Sequence, residues 1–197
     1  MMPDAVVYLV RHGRTHLNAE AVLRGHLDVA LDDQGRHQAQ RLGHTFGAVK
    51  VEAVISSPLL RARQTAATIA VTTRAPLTIE PRVIDRDYRD WAGLPESTLR
   101  ERYGSIDAAP DIETLATFTD RITASLDDVT KRFAGRHVIV VAHDAVNRHL
   151  LASLVPAPGG DPAAITQRPG CWNRLERNGT TWTAPVVDVM PDEGTRP

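Results

Sequence analysis

The sequence predicts an α/β fold of three layers, with a mostly parallel central sheet flanked by helices and ending in an antiparallel edge. Three observations carry this. Two apolar runs, Ala5-Val6-Val7-Tyr8-Leu9-Val10 and Val138-Ile139-Val140-Val141-Ala142 after His137, read as buried strands of the parallel type. Segments with helical three/four spacing lie between them. Near the end, Asn178-Gly179 separates residues 171–176 from 181–189, a strong hairpin signal.

The elements follow in order. Residues 14–34 are polar and contain glycine, which predicts a loop after the first strand. Ala39, Leu42, Phe46 and Val49 predict an amphipathic helix over 35–49. Val51 to Ile55 is a short core strand, ended by Ser56-Ser57-Pro58. Pro58 suits the first turn of a helix running through Arg61 to Ala70. Residues 74–110, with Pro76, Pro81, Pro95 and Pro110, predict an irregular insertion over the site, holding one short strand and one short helix. Ile112, Leu115, Phe118, Ile122, Leu126, Val129 and Phe133 keep an unbroken helical spacing, and Gly135 stops it. After the strand ending at Ala142, Val146, Leu150 and Leu154 share one face of a helix from Asp144 to Leu154. Residues 156–170 predict a loop. Residues 1–190 are expected to form a single domain and 191–197 a loose tail.

Composition bounds the function. The chain has 197 residues, 42% hydrophobic and 24% charged, the balance of an ordinary globular protein. A net charge of −1 gives no field that draws the whole protein to nucleic acid or an anionic membrane. The single cysteine, Cys171, excludes an intrachain disulfide and offers no metal cluster. Met1-Met2-Pro3-Asp4 starts no secretory signal, and no apolar stretch has transmembrane length, so the expected location is cytoplasmic. The expected assembly is a monomer or a homodimer, the C-terminal hairpin offering an edge for pairing.

The chemistry gathers where strands end. Arg11-His12-Gly13 closes the first strand, and His143 closes the later one. Open α/β sheets place ligands beyond the carboxyl ends of their strands. The turn at Ser56-Ser57-Pro58 leads to Arg61 in the same way. Two arginines, two histidines and the amide of Asn18 would form a compact positive pocket, which suits phosphate. Asp85, Asp87 and Asp90 stand together in the insertion. His26, His37, His44, His137 and His149 read as surface or packing residues, and no cluster has metal-ligand spacing.

On Arg11-His12-Gly13 with Thr15 and Asn18, on Gly25-His26-Leu27-Asp28 with Leu31 and Gly35, on Ser57 through Ala66, and on His143, the chain resembles the histidine phosphatase superfamily, the phosphoglycerate mutase-like group. The resemblance runs from residue 5 to about residue 188. It implies that His12 takes the phosphoryl group and that Arg11, Arg61, His143 and Asn18 hold its oxygens. It implies that Asp85 protonates the leaving oxygen and later activates water, with Asp87 and Asp90 as alternatives. The implied activity is hydrolysis of a small phosphate ester, with neither metal nor cofactor.

The chain also departs from the family pattern. Asp85 stands where glutamate is usual, Arg89 where glycine is common, and Asp144 where glycine often follows the second histidine. The Asp144 carboxylate is expected to cap its helix. Arg86 and Arg89 are expected to offset Asp87 and Asp90. Glu101-Arg102-Tyr103-Gly104 lacks the histidine of the mutase run and reads as a helix end. Alternatives to the hydrolase are a cofactor-dependent phosphoglycerate mutase and a non-catalytic phospho-ligand binding protein of the same fold.

Overall fold

Burial in the first strand shows how the layers arise. In a computed structural model, which describes residues 3–18, 20, 22–155, 161–191 and 194–197, β1 (Ala5–Arg11) is buried along its whole length. Side chains alternate between the two faces of a strand. Val6, Tyr8 and Val10 therefore join one core with Leu42, Phe46, Ala62 and Ile69, while Val7 and Leu9 join another with Phe118, Ile122, Val146 and Leu150. A sheet buried on both faces needs helices on both, and that is the three-layer arrangement.

The helices are α1 (Asp33–Phe46), α2 (Leu60–Thr73), α3 (Glu96–Tyr103), α4 (Leu115–Arg132) and α5 (Asp144–Leu154). The remaining strands are β2 (Ala53–Ser56), β3 (Leu77–Ile79), β4 (His137–Ala142), β5 (Trp172–Asn178) and β6 (Thr181–Val189). The sheet order is β3-β2-β4-β1-β5-β6. β1 pairs parallel with β4, and β2 pairs parallel with both β4 and β3. β5 and β6 add the antiparallel edge.

Several boundaries differ from the sequence reading. α1 begins at Asp33, because the Asp32 side chain accepts from Gly35 N at 2.8 Å, and it stops at Phe46, leaving Val49 beyond it. Pro58 lies before α2 rather than in its first turn, since Leu59 is the capping residue. Ile112 precedes α4, where Thr114 caps the helix through Thr117 N. The insertion holds the expected strand and helix, β3 and α3, and three 3-10 turns besides. Leu99 and Ala109 of the insertion form a small core with Leu23 of the loop after β1, and Trp91 packs against it. Gly104 ends α3 at φ 81°, so Glu101-Arg102-Tyr103-Gly104 is an ordinary helix end. Arg89 adopts φ 50°, which accounts for the preference for glycine there. The expected loop is described only from residue 161, and residues 192 and 193 of the expected tail also lie outside the described residues.

Candidate active site

Sheet register brings the site together. Arg11 lies beside Ala142, and Ser56 beside Val141. Continuing β1 and β4 by one residue sets His12 beside His143, and continuing β2 sets Ser57 beside Ala142, one residue short of His143. His12 N donates to Ala142 O at 3.1 Å, and Ser57 N to Val141 O at 3.0 Å. The loop after β1 is then pressed against the start of α1. A Cβ on Gly13 would stand 2.4 Å from Gly35 O, and one on Gly35 would stand 2.0 Å from Arg14 O. Neither glycine can be replaced without moving the loop that carries His12. Thr65 on α2 fastens the same loop, accepting from Gly13 N at 3.1 Å.

His12 and His143 are buried, with ring centroids 5.2 Å apart. His12 Nδ1 lies 2.7 Å from Gly13 O. A carbonyl only accepts, so the ring proton sits on Nδ1 and Nε2 keeps its lone pair. That lone pair faces Arg61, whose Nε donates to it at 3.2 Å. Arg61 is fully buried on the first turn of α2 and is held by Leu27 O at 2.6 Å, Gly25 O at 2.9 Å and Asp85 Oδ2 at 3.2 Å. Arg11 donates to Asp144 Oδ1 at 3.0 Å and to the carbonyl of Gln167. Burial first, then the neighbouring arginines, push both histidines well below their ordinary pKa, so both are neutral at pH 7. Burial also lowers Arg11 and Arg61, the nearby Asp144 and Asp85 opposing it.

Of the three acidic candidates in the insertion, Asp85 faces this cluster. Its Oδ2 lies 3.8 Å from His143 Nδ1 and its Oδ1 accepts from Arg86 N at 3.0 Å. Asp87 instead pairs with Arg89 at 3.1 Å, and Asp90 is exposed. Two buried polar atoms of the cluster, His143 Nδ1 and Arg11 Nε, have no partner among the described residues. Buried polar groups are nearly always satisfied, so these two fit a site that expects a ligand.

Arg11, His12, Arg61, His143 and Asp85 thus converge as the sequence suggested. Asn18 is tied back to its loop through Oδ1, which accepts from Thr15 N at 2.8 Å and Thr15 Oγ1 at 3.0 Å, while its Nδ2 makes no hydrogen bond among the described residues. Two expectations fail. Asp144 caps no helix, because it is the first residue of α5 and its carboxylate is taken by Arg11 and Arg148. Arg86 does not offset Asp87 but reaches Asp107 at 2.5 Å and Glu113 O at 2.9 Å. Sequence reasoning also missed Arg121. It donates to Arg82 O, Ile84 O and Asp85 O at 2.6, 2.8 and 3.0 Å, and it is clasped by both oxygens of Glu113. Its helical spacing in α4 showed only a polar face.

An arginine-lined pocket around two neutral histidines, at the carboxyl ends of parallel strands, defines a phosphate-handling α/β protein. The model of the histidine phosphatase superfamily (branch 1) matches residues 7–188, and the chain belongs to that family. The chain is 32% identical to the "uncharacterized phosphatase PhoE" of Bacillus subtilis, over 89% of this chain and 90% of that protein. It is 28% identical to the "probable phosphoglycerate mutase GpmB" of Citrobacter koseri, over 94% and 92%. Among solved structures, Bacillus stearothermophilus YhfR superimposes with a TM-score of 0.86 at 25% identity, covering 95% of this chain and 98% of that one.

Proposed function

We propose that the chain is a phosphomonoester hydrolase that acts through a phosphohistidine on His12. The observation that carries this is the His12 tautomer: Nδ1 is anchored on Gly13 O, which leaves the Nε2 lone pair facing Arg61 in a buried pocket. A neutral imidazole in that state is a competent nucleophile at pH 7. Arg61 Nε exchanges the imidazole for a phosphoryl oxygen when substrate enters. Asp85, an ionised partner of Arg61 before substrate enters, takes up a proton from solvent as the phosphoryl group displaces it from Arg61. Nε2 then bonds to phosphorus as the ester oxygen departs, and Asp85 passes that proton to the oxygen. Water next attacks phosphorus, Asp85 takes its proton, and the nitrogen–phosphorus bond breaks to release phosphate. Arg11, Arg61 and His143 Nδ1 offset the charge on the transferring group, the role a cation fills elsewhere, so turnover is expected to persist in EDTA.

The alcohol part has a place to lie. A groove of about 440 Å³, lined by Tyr88, Glu96, Arg100, Arg148 and His149 among others, adjoins the cleft that Asp85 lines. That volume fits a metabolite-sized group. The test is rapid quench with labelled ester. Acid-labile, base-stable label on His12, absent in His12→Ala, is the expected result. Label on a serine or an aspartate overturns the mechanism.

A further inference from the structure

The charges already paired at the site leave a deficit. Arg11 faces Asp144 at 3.0 Å and Arg61 faces Asp85 at 3.2 Å. Arg148 shares Asp144 with Arg11. Three arginines against two carboxylates leave one positive charge, whereas a phosphate monoester brings close to two negative charges near pH 7.

Arg24 stands where another cation is needed. It follows the buried Leu23 and precedes Gly25, whose carbonyl holds Arg61 Nη2 at 2.9 Å. The backbone there is fixed, Leu23 N donating to Leu94 O at 2.9 Å and Leu27 N to Arg24 O at 3.0 Å. The half-buried side chain lines one cleft with Asp85, Tyr88, Asp144, Arg148 and Glu96, the last of these paired with Arg100 at 3.6 Å. Its charge is felt at Arg11, Arg61 and His143, three members of the pocket. Yet no hydrogen bond or ion pair engages its guanidinium among the described residues. Every other arginine of the cluster has an acceptor. A fork of five donors left open at the mouth of an anion pocket is built for an incoming acceptor, not for the fold.

We propose that Arg24 binds an anionic oxygen of the substrate. This rests on the phosphatase reading of the same site. The oxygen belongs either to the transferred phosphoryl group or to a carboxylate or second phosphate on the alcohol part, and the two sources are separable by experiment.

The experiment compares Arg24→Gln and Arg24→Lys with the wild type. Arg63→Gln, an exposed position on α2 outside the site, serves as the control. Affinity for inorganic phosphate is read by calorimetry, which needs no turnover. KM and kcat are read with 4-nitrophenyl phosphate and with 3-phosphoglycerate. Loss of a charge-assisted contact predicts weakening of about tenfold or more in Arg24→Gln, partly restored in Arg24→Lys. Equal weakening for phosphate and both esters places Arg24 on the transferred group. Weakening confined to 3-phosphoglycerate places it on a second anion. Values unchanged throughout, as in Arg63→Gln, overturn the proposal. If phosphate binding weakens but the wild type turns over no ester, Arg24 keeps its role and the phosphatase reading falls. A wild type that neither binds phosphate nor hydrolyses an ester overturns both.

Discussion

Nε2 of His143 lies 2.7 Å from the hydroxyl oxygen of Ser57, and the backbone N–H of Leu59 donates to that same oxygen at 3.3 Å. That oxygen already accepts from the backbone, and no other acceptor for its proton is present among the described residues; with the proton given to His143, Nε2 is the unprotonated nitrogen and the ring proton sits on Nδ1. Nδ1 is the buried atom without a partner, and it faces Asp85. Ser57 therefore turns His143 into a hydrogen-bond donor toward the ligand space. His12 is set in the same way by Gly13 O, with Nε2 free. Each imidazole owes its tautomer to one neighbouring oxygen.

Replacing Ser57 with Ala should accordingly disturb recognition without emptying the pocket of charge. Phosphate affinity is expected to fall about tenfold, the worth of one hydrogen bond to a charged group. Nitrogen NMR of labelled His143 reads the tautomer directly. An unchanged tautomer with unchanged phosphate affinity would refute the role of Ser57.

Asp85→Asn tests the acid. With an alkyl phosphate, whose leaving oxygen needs a proton, phosphorylation of His12 should slow by about 10²–10⁴-fold. With an activated aryl phosphate the single-turnover burst should change far less. Equal losses for both esters would remove Asp85 from that role. Asp87 is engaged with Arg89, so Asp87→Asn should leave the burst unaltered.

Arg121 reaches the site only through Asp85. Its two terminal nitrogens hold three carbonyls of the segment that ends in Asp85, those of Arg82, Ile84 and Asp85, and Glu113 fixes its orientation. Arg121→Met leaves those carbonyls and a partly buried carboxylate without their cation, a cost of about 3 kcal/mol. Chemical denaturation measures that loss. A purely structural role would slow both ester types alike. A positioning role slows the alkyl ester more, reproducing the selectivity of Asp85→Asn, and Arg121→Lys should recover part of it.

Legibility followed the reach of each signal. The strands around His12 and His143 were readable because burial on both faces leaves an unbroken apolar run. α5 matched from Asp144 to Leu154 because a single helical period was uninterrupted. Boundaries set by a capping side chain, such as Asp32 at α1, lie outside that periodicity. At the site, Arg11, His12, Arg61 and His143 were legible because each ends a core strand, directly follows one or follows the turn after one. The contacts of Asp144 and Arg121 were not legible. Asp144 meets Arg11 across 133 positions of sequence, and nothing local distinguishes it from an acidic cap. Arg121 looks like a solvated helix charge until the insertion folds over it.

The two buried histidines also set how stability responds to pH. Burial lowers both, with Arg61 the next cause in each case and Arg11 contributing to each. In the unfolded chain each titrates near its ordinary value of about 6.5. As pH falls through that value, the unfolded chain takes up protons that the native state refuses. Stability from this source is thus complete above pH 6.5. It is lost as pH falls from there toward the depressed native values, at up to about 1.4 kcal/mol per pH unit for each histidine. Asparagine does not titrate, so His12→Asn and His143→Asn should each remove one such increment from the slope. Urea unfolding at pH 7.5, 6.5 and 5.5 makes the comparison, and a slope identical to wild type in both variants would refute it. The same depression keeps Nε2 of His12 unprotonated at pH 6, where an ordinary histidine is mostly charged. The rate of phosphohistidine formation should therefore stay level as pH falls from 7.5 to 6. A decline centred on pH 6.5 would mean that the nucleophile titrates as if exposed, in conflict with its burial beside Arg61.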